Sequence, residues 1–126
     1  MPITKKVAPP YSVVFISDTG KTEVPKMESG SVIEATDSCI AVRCLAEIDG
    51  PTEFVFGSIG QVDTGKPPAY SGILKTPNGT VSLHDAYDES IAEMAVASTH
   101  TAVSIWVNDP KSEPDKVVVG LDASES

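Results

Sequence analysis

Short runs of β-branched and aromatic residues, each stopped by Gly, Pro, Asn or Asp, recur about every 10 to 14 residues between positions 11 and 121. That is the spacing of an all-β sandwich or barrel. The clearest run covers residues 38–48, where Ile40, Val42, Cys44, Ala46 and Ile48 alternate with Cys39, Ala41, Arg43, Leu45 and Glu47. Successive side chains on a strand point to opposite faces, so the even set is expected to face the core. Arg43 and Glu47 mark the wetter side.

The remaining runs extend the rhythm. Residues 11–17 predict a first strand with Tyr11, Val13 and Phe15 on one face, and residues 31–36 a weak second strand. Asp49-Gly50 turns the chain into a strand over residues 52–57, where Phe54 and Phe56 share a face. A Gly- and Pro-rich loop over residues 60–68 follows. Two strands over residues 70–75 and 80–83 flank Thr76-Pro77-Asn78-Gly79, where Pro presets the first turn position and Gly supplies a left-handed residue. This is the strongest hairpin signal in the chain. Residues 90–98 and 101–107 predict a second hairpin turning at Thr99-His100, and residues 117–121 a closing strand.

One segment supports two readings. Asp85 caps a short helix if Tyr87, Ile91 and Met94 form its apolar stripe. A strand instead puts Ala92, Met94 and Val96 on one face, and the β pattern continuing through Val103 favours it. The expected architecture is therefore a single antiparallel β-sandwich of about eight strands, with at most one helical turn near Asp85. Residues 1–126 are read as one domain with an extended arm over 1–10, where Pro9-Pro10 excludes helix, and a solvated tail over 122–126.

Charge narrows the function classes. The net charge is −9, and it is unevenly spread. Lys5, Lys6, Lys21 and Lys26 outnumber Asp18 and Glu23 in the first 26 residues, whereas residues 27–65 hold seven acids against Arg43 alone. No Lys or Arg lies between Lys75 and Lys111. Binding to phosphate backbones depends on Lys and Arg releasing counterions, so direct nucleic-acid and anionic-membrane binding are disfavoured. A basic protein partner suits this surface, as does plain solubility. No apolar stretch reaches the 18 residues of a membrane helix and no secretory leader pattern appears, so a cytoplasmic protein is expected.

Candidate chemistry is sparse. Cys39 and Cys44 are an odd number of positions apart, so one strand sends them to opposite faces and they do not pair. Cys44 reads as a core hydrophobe and Cys39 as a second-face or surface thiol. His84, Asp85 and Asp88 lie in a six-residue stretch of oxygen and nitrogen donors, a weak metal candidate that lacks the spacing of a calcium loop. His84 and His100 are the only histidines available as bases. No nucleophile elbow, zinc helix, Walker loop or dinucleotide fingerprint is present. Asn78-Gly79-Thr80 matches a glycosylation sequon, but a turn requires the same residues. If Val103, Ile105 and Val107 face the core, Trp106 points the other way, where the simpler reading has it cover a sheet edge or a loop and the alternative makes it the candidate partner-binding residue.

The leading expectation is a non-enzymatic acidic module that binds another, basic protein, with no cofactor. A small-ligand or carbohydrate-binding sandwich rimmed by loops 60–68 and 108–116 comes second, and a hydrolase or metal site around His84 third. Exposed sheet edges also allow a homodimer through edge strands.

Overall fold

The computed structural model describes residues 3–18, 32–44, 47–62, 64–87, 89–96, 99–108 and 114–122. The fold is all-β. Ten strands among these residues form two five-stranded sheets. They are β1 (Ile3–Val7), β2 (Val13–Ser17), β3 (Ile33–Ala35), β4 (Cys39–Arg43), β5 (Thr52–Ser58), β6 (Tyr70–Lys75), β7 (Thr80–Asp85), β8 (Ser90–Ala95), β9 (His100–Val107) and β10 (Lys116–Leu121). One sheet runs β1-β5-β10-β9-β6 and the other β3-β4-β2-β7-β8.

Alternation along the strands builds one core between the sheets. Val14, Ile16, Ile40, Val42, Val81 and Leu83 come from the second sheet, and Phe54, Phe56, Leu74, Val103, Ile105, Val117 and Val119 from the first. Phe54 and Phe56 are fully buried, each contributing roughly 1.5–3 kcal/mol of apolar burial.

Four expectations need correction. The strands number ten among the described residues, where the run pattern predicts about eight. The pairing is not wholly antiparallel, because β10 lies parallel to β5 with Val118 beside Val55. The helical turn allowed near Asp85 is not seen: Ala86 and Tyr87 form a turn and the favoured strand follows as β8, while helical residues lie elsewhere, as α1 (Ile59–Val62) and the 3-10 turn Glu47–Asp49. Finally, the strand expected to reach Ile48 stops at Arg43, and Ile48 is 94% exposed on the 3-10 turn Glu47–Asp49.

The Ile48 reversal has a backbone cause. Arg43 pairs with Val13, the first residue of β2, and the next amide, of Cys44, donates to the Ser12 carbonyl at 2.9 Å. Tyr11 and Ser12 then adopt left-handed φ values of +62° and +59°. The chain that would have to pair with Ile48 in the sheet has turned away.

The hairpin expectation is half met. The turn at Thr76-Pro77-Asn78-Gly79 forms, with the Gly79 amide donating to the Thr76 carbonyl at 3.1 Å and φ of +73° at Gly79. Its strands do not pair with each other: β6 joins β9, and β7 joins β2 and β8. The chain crosses between sheets here and crosses back between β8 and β9, so the hairpin expected to turn at Thr99-His100 does not form either. The buried Thr76 and Thr101 hydroxyls meet at 2.9 Å beneath the crossing, and the Asn78 amide donates to Asp18 Oδ2 at 2.6 Å. The hairpin in this region is β7–β8, closed by the turn after Asp85.

On the outer face of the first sheet, Trp106, Val118 and Val62 make a second, smaller apolar cluster, with Val55 and Ile59 packed on it. Gly120 lets α1 approach this closely. A Cβ there would stand 3.2 Å from the Ile59 Cα and 3.0 Å from the Val62 Cγ2.

Candidate interaction surfaces

The turn that closes β7–β8 is organised by one carboxylate. Asp85 ends β7 buried, and its Oδ1 accepts the amides of Tyr87 at 2.9 Å and Glu89 at 3.0 Å. An aspartate that bonds its own following backbone is a turn-former, which accounts for Asp85 without a metal. The turn fixes Tyr87, whose ring meets that of Tyr11 edge to face at a centroid distance of 5.8 Å. The Tyr87 hydroxyl donates to the Tyr11 hydroxyl at 3.3 Å.

Both rings are nevertheless in water, Tyr11 73% and Tyr87 68% exposed. The left-handed turn Pro10–Ser12 that carries Tyr11 lies beside the 3-10 turn Glu47–Asp49 that carries Ile48. Three of the four exposed large apolar side chains among the described residues are thus borne by three neighbouring turns. Exposed Asp49 and Glu89 stand in the same turns. Tyr11 pays for its position, since a left-handed non-glycine residue costs roughly 1–2 kcal/mol. Strain of this kind clusters at contact sites.

The expected site residues fall in different places. His84 is half-buried on the outer face of the second sheet, its ring 5.9 Å from that of Phe15 and stacked on it. His100 opens β9 on the other sheet, with Nδ1 3.3 Å from the Thr99 hydroxyl. The two histidines therefore belong to separate sheets. Asp88 lies outside the described residues. Among the described residues, no group of three or more His, Cys, Asp or Glu gathers as metal ligands do.

Cys39 and Cys44 are both buried thiols, so of the two positions expected for Cys39 the second face holds and the surface does not. Cys44 sits in the main core and Cys39 outside it, which agrees with opposite faces. Burial pushes the Cys39 thiol up to about 12. At pH 8 its thiolate fraction is then on the order of one in ten thousand. Thiol-specific labelling at pH 8 should leave Cys39 unmodified in the folded protein and modify it in denaturant; rapid native labelling would contradict the burial.

Trp106 does point away from the main core, as its strand register requires, but it is only 7% exposed. The segment after α1 covers it, and the indole N–H donates to the Lys66 carbonyl at 2.7 Å. Beside the indole lies a cleft of about 460 Å³, bounded by Thr64, Lys66, Pro67 and Ala69 on one side and by Asn108, Lys116 and Val118 on the other.

These features define a two-sheet all-β protein with an exposed aromatic end and a separate tryptophan-lined cleft. No family model matches the chain, and no curated protein matches it. Among solved structures it is similar to ComJ, inhibitor of the DNA degrading activity of NucA, from Bacillus subtilis, with a TM-score of 0.50 and 12% identity over 96% of this chain and 93% of that one. At that identity the likeness is one of fold. No helix among the described residues is long and apolar enough to cross a membrane.

Sequence reasoning missed Tyr11, Ile48 and Tyr87 as a group. By pattern Tyr11 falls on a strand face, Ile48 in the core, and Tyr87 in a short turn or a helical stripe, with nothing local to group them. The available signals were Pro10 before Tyr11 and Gly50-Pro51 after Asp49, which break strands on either side of these residues.

Proposed function

We propose that this protein is a non-catalytic binding module that docks through its Tyr11–Ile48–Tyr87 end on the basic face of another protein. We read the two sheets as one sandwich and the chain as a single domain that carries this end. The observation that carries the proposal is the Tyr11–Tyr87 pair: two large rings held against each other, in water, by a left-handed backbone and an aspartate-bonded turn. Tyrosine supplies large rigid contact area with a polar tip and is enriched at binding hot spots. Asp49 and Glu89 beside it, in a chain of net charge −9, select a basic counterpart.

Enzymes that act on polyanions such as DNA present such basic faces, and covering one would inhibit it. ComJ, whose fold this chain resembles, is an inhibitor of DNA degradation, which supports the inhibitory form of the reading. The test adds the purified protein to a DNA-degrading extract of its source cells before the plasmid substrate. The expected result is slower degradation, with the triple variant Tyr11→Ser, Ile48→Ser, Tyr87→Ser at least about tenfold less potent, one hot-spot's worth of affinity. Unchanged degradation, or equal potency of the variant, would overturn the inhibitory reading.

A further inference from the structure

The cleft beside Trp106 is built differently from the rest of the surface. Its floor is apolar, formed by the indole and Val118, which face each other across β9 and β10, with Pro67 on the opposite wall. Its volume of about 460 Å³ falls within the range of small-molecule sites, roughly 300–1,000 Å³. Two lysines line it: Lys66, from the segment that covers the indole, and Lys116, two residues before Val118 on the same face of β10.

The charge here runs against the molecule's own. The chain has 9 basic and 18 acidic residues, yet the described lining holds two lysines and no acid. Among the described residues neither lysine lies within ion-pair distance of a carboxylate. The acid next to Lys116 in the sheet is Glu53, on β5, the side away from the cleft and level also with Lys6 of β1. At the β9–β10 end, among the described residues, Asp115 is engaged by Asn108, whose Nδ2 donates to its carboxylate at 2.5 Å. Asn108 Oδ1 in turn accepts the Asp115 and Lys116 amides, both at 3.1 Å, and this bracket fixes where Lys116 leaves the strand.

We propose that this cleft binds a small amphipathic carboxylate, its apolar body over the Trp106 indole and its carboxylate between Lys66 and Lys116. Burial of the apolar body supplies the affinity, because exposed ammonium groups contribute little by themselves. The lysines select the sign of the head group. The site is separate from the Tyr11 end and does not depend on the proposed docking there.

Trp106 is the only tryptophan, so its emission reports the cleft directly. The test titrates the full-length protein with decanoate, and with decyltrimethylammonium as a cation of equal chain length. Saturable change in Trp106 emission is expected for decanoate, with a Kd tighter than about 1 mM. The cation should be at least about tenfold weaker, and Lys66→Ala with Lys116→Ala should weaken decanoate at least about tenfold while leaving the far-ultraviolet circular dichroism unchanged. Both lysines are exposed, so these variants are expected to fold. No saturable response to decanoate, equal binding of the cation, or decanoate affinity indifferent to the lysine changes would each overturn the proposal.

Discussion

Trp106→Ala is expected to destabilise the protein by about 3–5 kcal/mol, the cost of truncating a large buried aromatic side chain. Three losses combine. Val118 and Val62 lose their packing partner in the smaller cluster. The Lys66 carbonyl loses the indole N–H that it accepts at 2.7 Å. The segment after α1 loses its anchor, and the cleft loses its floor. Trp106→Phe keeps most of the apolar area but not the donor, and should cost about 1–2 kcal/mol. Denaturant unfolding followed by far-ultraviolet circular dichroism measures both, since neither variant retains a tryptophan to report by emission. A loss below about 1 kcal/mol for Trp106→Ala would show that the outer cluster contributes little to the fold.

Asp85→Ala should cost about 2–3 kcal/mol, because two backbone amides lose a carboxylate acceptor at the mouth of the β7–β8 hairpin. The effect reaches the exposed end of the molecule. Tyr87 is held where it meets Tyr11 by the hydrogen bond its backbone amide donates to Asp85 Oδ1, so a loosened turn separates the rings. Asp85→Asn keeps an oxygen acceptor and should recover most of the stability. A variant pair in which Ala and Asn are equally stable would contradict the turn-forming role of this carboxylate.

What was legible in the sequence was set by local alternation. Phe54 with Phe56, and Ile40 with Val42 and Cys44, announce their buried faces because a period of two needs no knowledge of the partner strand. The outward direction of Trp106 follows from the same rule. Which sheet each strand joins is another matter. Thr76-Pro77-Asn78-Gly79 encodes a chain reversal, and a reversal serves a hairpin and a crossing between sheets equally well. The choice is made by distant residues, such as Thr101 under the crossing and Asp18 on the turn. The exposed end was hidden for the same reason. Ile48 continues an apolar alternation by sequence, and only the left-handed backbone at Tyr11 and Ser12, on another strand's approach, releases it to the surface. The cover over Trp106 reads in the sequence only as some edge or loop, because the segment after α1 that supplies it is remote in the chain, 40 residues away at the Trp106–Lys66 bond.

The proposed docking end is tested most directly by paired affinity capture from the source cells, with wild-type protein and the Tyr11→Ser, Ile48→Ser, Tyr87→Ser variant as baits, read by native mass spectrometry. The three side chains are exposed, so the variant should unfold at the same denaturant concentration as wild type. A basic protein retained stoichiometrically by wild type, weakened by salt and lost from the variant, is the predicted result. Wild type recovered at its bare mass, or a complex that the variant retains unchanged, would contradict it.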